Sequence, residues 1–203
     1  MRNIDNLVAG FKSNTRGKVI SIDIDGVLFR IPIIEYINAE FGEKYTYEDF
    51  TDWNLSNFPE HIRNEMFAAF RSTEFMCSTK AYWGTYSTLR DWKLAGNKLF
   101  AITRRDPNLI DGTRYQFEKE FPGLFVNCFF VAPNESKATY LKSINADIHI
   151  DDYDVEDSVA AGIKTYLITN EETGYNHFLR DNHKLNQALS LSHVKLDDSK
   201  WLK

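Results

Sequence analysis

The chain has 203 residues, 43% of them hydrophobic and 26% charged, which suits one globular domain with a modest insertion and excludes a large multidomain protein. Its formal net charge of −5 argues against a surface that holds nucleic acid, although one local pocket could still bind a small anion. We expect a cytoplasmic protein without membrane or stable nucleic-acid binding, because residues 1–14 are too polar for a signal peptide and no stretch approaches the ~20 apolar residues of a membrane span.

Short apolar runs recur along the chain, and polar residues follow each of them. The runs cover residues 19–23, 99–103, 128–132, 148–151 and 165–169. Helix-length segments with an apolar spacing of about 3.6 lie between the later runs, at residues 86–94, 115–121, 138–144 and 155–161. This alternation predicts an α/β fold with a doubly wound, Rossmann-like parallel sheet. Gly96, Gly123 and Gly162 follow three of these segments, where C-cap glycines are common.

The alternation stops between residues 30 and 80, where two or three helical stretches with aromatic-rich connections replace it. Apolar residues there share helical faces, namely Ile33, Ile34, Ile37 and Phe41 on one and Ile62, Met66, Phe67 and Phe70 on another. An insertion at the carboxyl end of a first strand stands over the crevice where doubly wound sheets bind ligands. We therefore predict a helical cap at residues 30–80 on a core made of residues 1–29 and 81–203.

The strongest local signal is the acidic pair Asp23 and Asp25, which ends the first apolar run and precedes Gly26. Two carboxylates in one crevice repel each other, and the usual remedies are a shared proton or a bound cation. Carboxylate and carbonyl oxygens are hard ligands that favour Mg²⁺, and the two widely separated cysteines offer no zinc site. Alone, this pattern also fits a calcium-type turn or an ordinary acidic loop.

Further polar residues are expected at the same edge of the sheet. Asp151 ends another predicted strand and precedes Asp152, Thr103 ends a third strand, and Lys137 begins a predicted helix. These side chains can converge because the carboxyl ends of parallel strands lie on one edge. A metal, a carboxylate nucleophile, a hydroxyl and a lysine together indicate phosphoryl transfer. His149 lies inside a buried run and is expected to be a core residue.

The order of these motifs resembles the haloacid dehalogenase superfamily of phosphatases, and the match covers roughly the whole chain. The resemblance is carried by Asp23-x-Asp25-Gly26-Val27, Thr103, Lys137 and Ile150-Asp151-Asp152. It implies a three-layer Rossmann-like core with a helical cap after the first motif. The cap position, the chain size and the last motif are most similar to the 5'(3')-deoxyribonucleotidases, which residues 47–55 resemble more loosely.

The resemblance also implies the roles of the acids. Asp23 would attack phosphorus and form an aspartyl-phosphate, and Asp25 would protonate the leaving oxygen and then activate water. Mg²⁺ would bind the carboxylates of Asp23 and Asp151 and the main-chain carbonyl of Asp25, with Asp152 supporting the metal's water shell. Dehalogenases of the superfamily lack an acid at the position of Asp25, so its presence favours phosphate chemistry.

The phosphoryl group itself would be bound by Thr103 and Lys137, with Lys142 as a competitor of Lys137 on the same predicted helix. Arg104 and Arg105 follow Thr103 directly. They could line the phosphate site, and an exposed salt-bridged pair is an equal alternative. Of the two, we single out Arg104 as a phosphate-binding residue beside Thr103 and Lys137.

The cap would select the substrate, which we expect to be a nucleoside monophosphate. A nucleobase needs an aromatic platform, and the candidates are Phe29, Phe41, Phe50, Trp53 and Trp83, of which we single out Phe29 and Trp53. The alternatives are another small phosphomonoester such as a sugar phosphate, a nucleic-acid 3'-phosphate, or a catalytically idle binding module. The net negative charge and the cap argue against a polymer substrate, and the complete motif set argues against an idle module.

Overall fold

The computed structural model describes residues 17–196, so the polar segment at residues 1–14 lies outside the described part. The strands are β1 (Val19–Ile22), β2 (Lys98–Thr103), β3 (Phe125–Phe130), β4 (Ile148–Asp151), β5 (Lys164–Ile168) and β6 (Asn186–Ala188). The helices are α1 (Ile33–Phe41), α2 (Glu60–Ala69), α3 (Thr73–Met76), α4 (Thr85–Leu94), α5 (Ile110–Glu120), α6 (Lys137–Ser143) and α7 (Glu156–Ala160). Of the helices in this range, none has the length and hydrophobicity that a membrane crossing requires.

The strands form one parallel sheet in the order β3-β2-β1-β4-β5-β6, which confirms the predicted doubly wound fold. Successive strand residues point to opposite faces of the sheet. Ala101 packs in one apolar cluster with Leu89 of α4, and the next residue, Ile102, packs in another with Leu141 of α6. Helices therefore cover both faces, as in a three-layer α/β protein.

The ends of several elements differ from the prediction. The edge strand β6 was not predicted, because its three residues include Asn186 and Gln187 and contain no apolar run. Helix α5 begins before residue 115, since a 3₁₀ turn at Pro107–Leu109 leads directly into it. The three predicted C-cap glycines all have a positive φ, as that role requires.

The order of the strands places a crevice beside β1. The chain moves from β1 outward to β2 and β3 and then returns to the other side of β1 with β4. Ligands of doubly wound sheets bind at such a reversal, outside the carboxyl ends of the strands. Here the reversal lies between the residues that follow β1 and those that end β4.

The inserted segment, residues 30–80, contains α1, α2 and α3 and supplies most of one apolar cluster, which Leu109 and Tyr175 complete. Its fully buried members include Ile33, Ile37, Ile62 and Met66. The chain leaves and re-enters the sheet domain side by side, because the Arg30 amide donates to the Lys80 carbonyl at 3.0 Å and the Tyr82 amide to the Leu28 carbonyl at 3.0 Å. The segment thus stands on a two-stranded stem at the carboxyl edge of the sheet.

Candidate active site

The acidic pair after β1 is positioned by a tight turn. The Asp23 amide donates to the Ile150 carbonyl at 2.8 Å, which extends the pairing of β1 with β4 and buries the Asp23 side chain. Gly26 follows with φ at 76°, and a Cβ there would collide with the Asp152 carboxylate. The turn therefore needs glycine both for its backbone conformation and for the close approach of Asp152.

Three buried carboxylates meet at the crevice. Asp23, Asp151 and Asp152 each offer one oxygen, and these three oxygens lie within 4.8 Å of one another. Mutual repulsion in a buried site makes such a cluster favourable only with protons or a cation. An all-oxygen donor set suits a hard divalent ion such as Mg²⁺, so the residues present fit the cofactor that was predicted.

Lys137 lies between two of these acids. Its Nζ is 2.6 Å from Asp23 Oδ1 and 2.6 Å from Asp151 Oδ2, and its side chain is 3% exposed. Ser136 caps the helix by accepting a hydrogen bond from the Ala138 amide, which starts α6 so that Lys137 points at the crevice. The competing Lys142 is exposed at the other end of α6.

The electrostatics of the cluster are unbalanced. Burial, reinforced by the charge of Asp151, raises the pKa of Asp23 and of Asp152 well above the usual range of a carboxyl. Burial acts in the same direction on Asp151, but the charge of Lys137 and a hydrogen bond from His149 hold its pKa below the usual range. Burial lowers the pKa of Lys137, and the charges of Asp151 and Asp23 more than offset it. The raised pKa values mean that Asp23 and Asp152 hold protons in the absence of a cation, and a divalent cation could take the place of these protons.

Neighbouring groups orient the two acids of β4. Asp151 Oδ1 accepts from the amides of Tyr153 and Asp154, both at 2.9 Å, and its Oδ2 lies 3.0 Å from His149 Nε2. His149 is fully buried, as expected, and its contact with Asp151 gives it a role beyond packing. The Tyr175 hydroxyl donates to Asp152 Oδ2. Tyr175 was missed because it lies in an irregular 3₁₀ segment, Gly174–Leu179, with no local motif.

The two arginines after Thr103 differ in their surroundings. Arg105 is buried and pairs with Asp25, with Nε 2.9 Å from Oδ2 and Nη2 2.7 Å from Oδ1. Arg104 is partly exposed, pairs with Asp154 at 2.6 Å and donates to a main-chain carbonyl. The predicted alternative of an exposed salt-bridged pair therefore describes Arg104 and is wrong for Arg105. Both side chains line the cavity above the acids.

The cavity has a volume of about 460 Å³ and lies between the crevice and the inserted segment. Its floor contains Asp23, Asp25, Thr103, Lys137, Asp151 and Asp152. Its wall includes Ile31, Trp53, Phe67, Phe70, Arg71 and Met76 from the inserted segment. The structure thus brings every predicted floor residue to one cavity, and Thr103 is buried there with its Oγ1 accepting the Arg105 amide at 3.1 Å.

The predicted aromatic platform is only partly found at this cavity. Trp53 lines it, but Phe29 is fully buried and packs between Phe117 and Phe121, so its prediction as a substrate contact needs correction. The turn at Gly26 explains the difference, since the amide of Phe29 donates back to the Ile24 carbonyl and directs the ring into the core. The other candidates also lie elsewhere: Phe41 packs on His61, Phe50 is buried on Tyr175, and Trp83 is fully exposed outside the cavity wall.

Comparison with known proteins places the fold. No protein-family profile matches the sequence, and no curated protein matches it. Among solved structures, a candidate phosphoglycolate phosphatase from Lactobacillus delbrueckii subsp. bulgaricus superposes with a TM-score of 0.62 at 14% identity, covering 88% of this chain and 96% of that one. The D,D-heptose 1.7-bisphosphate phosphatase from B. bronchiseptica, complexed with magnesium and phosphate, gives 0.55 at 12% identity, with 87% and 94% covered. An L-2-haloacid dehalogenase gives 0.51 at 14% identity, with 77% and 88% covered. The chain therefore has the fold shared by these phosphatases and dehalogenases, as the motif resemblance implied.

Proposed function

We propose that this protein is a Mg²⁺-dependent phosphomonoester hydrolase that works through an aspartyl-phosphate on Asp23. The observation that carries the proposal is the position of Lys137, whose ammonium bridges Asp23 and Asp151 at the floor of a cavity that also holds Asp25. A carboxylate beside a fixed cation and a cluster of metal-binding oxygens is the arrangement that an anionic phosphoryl group requires.

The proposed reaction has two steps, in which Asp23 is the nucleophile and Asp25 transfers the protons. A carboxylate oxygen of Asp23 attacks phosphorus as the ester oxygen leaves, and Asp25 gives that oxygen a proton. Water then attacks the same phosphorus with its proton passing to Asp25, which releases inorganic phosphate and restores Asp23. Lys137 stabilises the charge on the transferring group, and the Thr103 hydroxyl, whose oxygen accepts the Arg105 amide, has its proton left to donate to it.

The metal would be held by Asp23 and Asp151, with Asp152 beside them and the Asp25 carbonyl as a further ligand. When bound it supplies positive charge for the phosphoryl oxygens.

For the substrate we favour a nucleoside monophosphate. The phosphate would lie at the polar floor, and the base would lie against Trp53, Phe67 and Phe70 of the inserted segment, which we propose as the cap. The volume of about 460 Å³ is in the range of small-molecule sites, and aromatic rings stack on any base. The printed names of two similar structures, a phosphoglycolate and a heptose bisphosphate phosphatase, point instead to small acidic or sugar phosphates.

One feature supports that second candidate. Arg71 lines the cavity and is 70% exposed, and its Nε lies 3.8 Å from Asp106 Oδ2. Its guanidinium is therefore free to donate hydrogen bonds to a second anionic group of a substrate. A nucleic-acid 3'-phosphate fits less well, because the inserted segment forms a wall of the cavity above the acids and leaves less room for a polymer.

The test is release of inorganic phosphate with Mg²⁺ from a panel of nucleoside 5'- and 3'-monophosphates, sugar phosphates, phosphoglycolate and a 3'-phosphorylated oligonucleotide. Asp23→Asn serves as the blank, and Asp111→Asn, an acid that is 98% exposed on α5, is the matched control. We expect activity that a chelator abolishes and Mg²⁺ restores. The panel ranks the substrate classes, and a wild-type rate no higher than that of Asp23→Asn would refute the hydrolase and favour a binding role.

A further inference from the structure

We propose that Arg105 is a positioning residue that holds the Asp25 carboxylate in place for proton transfer. The inference rests on the proposed function, since it concerns the group assigned there as the acid and base. This role differs from direct binding of the phosphate, which is the usual role of an arginine beside a phosphate site.

Every N–H of the Arg105 guanidinium already has a protein partner. A guanidinium carries five N–H donors. Nε and one Nη2 proton bind the two oxygens of Asp25 at 2.9 and 2.7 Å, and the other Nη2 proton binds the Met76 carbonyl at 3.2 Å. Both Nη1 protons are also used, by Thr113 Oγ1 at 3.0 Å and Gln116 Oε1 at 2.9 Å. No donor is left over for a substrate phosphate.

The partners of Arg105 are themselves fixed. Thr113 and Gln116 lie three residues apart on one face of α5, both buried. Gln116 Nε2 donates to the carbonyl and the hydroxyl of Thr79, at 2.9 and 3.0 Å, which determines the orientation of its amide. The guanidinium carbon also lies 5.8 Å from the centre of the Phe29 ring. The guanidinium plane is thus set by the core helix, by a core ring and by the end of the inserted segment.

Asp25 depends on this plane for its own orientation. Asp25 lies on the turn that follows β1. Among residues 17–196, Arg105 donates the hydrogen bonds that its carboxylate accepts. A bidentate arginine fixes both the position and the rotation of a carboxylate. Proton transfer requires that the carboxyl oxygen lie within hydrogen-bond reach of the ester oxygen, so rotation of Asp25 should slow that step specifically.

The leaving group distinguishes positioning from general structural support. A nitrophenolate leaves without a proton, whereas an alkoxide needs one. We would measure kcat/KM, which reports the steps up to leaving-group departure, for p-nitrophenyl phosphate and for an alkyl phosphomonoester that the wild-type protein hydrolyses. Arg105→Met keeps an unbranched side chain as far as the position of Nε and removes the guanidinium fork. We expect it to lower kcat/KM for the alkyl ester by about 10²-fold or more and for the aryl ester by less than about tenfold, since general acid catalysis contributes 10²–10⁴-fold.

Two companion variants complete the test. Arg105→Lys restores the charge without the fork and should recover only part of the alkyl-ester rate. Asp25→Asn combined with Arg105→Met should be no slower on the alkyl ester than Asp25→Asn alone. Equal losses on both esters would refute the positioning role while leaving the hydrolase intact, and a wild-type protein inactive on every phosphomonoester would refute the proposed function instead.

A second variant keeps the test valid if Arg105→Met fails to fold. If Arg105→Met does not give a cooperative thermal transition, Thr113→Val removes one acceptor of Nη1 at nearly constant volume. It should show a smaller loss that is again selective for the alkyl ester. An unselective loss in this variant would contradict the proposal as firmly as one in Arg105→Met.

Discussion

The Tyr175 hydroxyl donates a hydrogen bond to Asp152 Oδ2, which ties the acid cluster to a segment that follows β5. The ring of the same tyrosine lies 5.0 Å from the Trp53 ring and 4.7 Å from the Phe50 ring of the inserted segment. One side chain therefore contacts both the candidate metal site and the wall of the cavity above it.

Tyr175→Phe should weaken metal binding while leaving this ring packing in place. Asp152 loses its hydrogen-bond donor and its fixed orientation, and loss of such an outer partner typically lowers metal affinity by about 10–100-fold. The measurement is the rise in Tm with Mg²⁺ concentration. Tyr166→Phe, which removes a hydroxyl that donates to the Lys195 carbonyl at 2.6 Å, is the matched control. The same Mg²⁺ response in both variants would contradict the role of Tyr175.

Lys137→Met should destabilise the metal-free protein by about 3–5 kcal/mol, because two buried acids lose the cation between them. Protonation of Asp23, whose pKa is already raised by burial, limits the cost. Urea unfolding in the presence of a chelator measures the effect. Lys142→Met is the control on the same helix and, being exposed, should change the free energy of unfolding by less than about 0.5 kcal/mol. Similar effects of the two substitutions would show that Lys137 does not neutralise the cluster.

The floor of the site was predictable because it depends on a simple rule. Apolar runs locate the strands, parallel strands bring their carboxyl ends to one edge, and Asp23, Thr103 and Asp151 stand at those ends. The partners of the floor residues were not predictable in this way. Tyr175 reaches Asp152 from an aperiodic segment. Arg104 and Arg105 are adjacent in the sequence, but tertiary packing leaves the first partly exposed and buries the second.

The contact between α5 and the inserted segment was also beyond the sequence, because the predicted helix began only at residue 115 and left Gly112 outside it. Gly112 is a weak helix former in the first turn of α5, and a Cβ there would lie 2.7 Å from Thr73 Cγ2 and 2.8 Å from Cys77 Sγ. The glycine lets the inserted segment approach α5 closely. That approach brings the Met76 carbonyl to Arg105, so the small size of Gly112 supports the hydrogen-bond network around Asp25.

The inserted segment should lose some of its stability in acid. Glu35 in the first turn of α1 accepts hydrogen bonds from Tyr47, at 2.7 Å, and from Arg30. Burial acts to raise its pKa, but these hydrogen bonds outweigh it and hold the pKa below the usual value of 4.5. A carboxyl with a lowered folded-state pKa stabilises the protein above its unfolded pKa, and the contribution falls as the pH drops through the folded value.

Glu35→Gln should therefore be less stable than the wild type at pH 7 and equal to it in strong acid. The side chain is 48% exposed, so the difference at pH 7 should stay below about 1 kcal/mol. Urea unfolding at a series of pH values measures it, with Glu40→Gln as an exposed control on α1. A difference that grows as the pH falls would have the wrong sign for this interaction.

Gly26→Ala should abolish the rise in Tm that Mg²⁺ causes, whereas Gly42→Ala should preserve it. Both glycines have a positive φ, 76° and 69°, so each substitution carries a backbone cost of about 1–2 kcal/mol. Only at Gly26 does the added methyl group meet the Asp152 carboxylate and the Tyr175 hydroxyl, whereas Gly42 has nothing within 4 Å. Thermal unfolding with and without Mg²⁺ separates the shared backbone cost from the loss of the acid cluster. A Gly26→Ala protein that Mg²⁺ still stabilises as well as Gly42→Ala would show that the close approach of Asp152 to the turn is not needed for the cation.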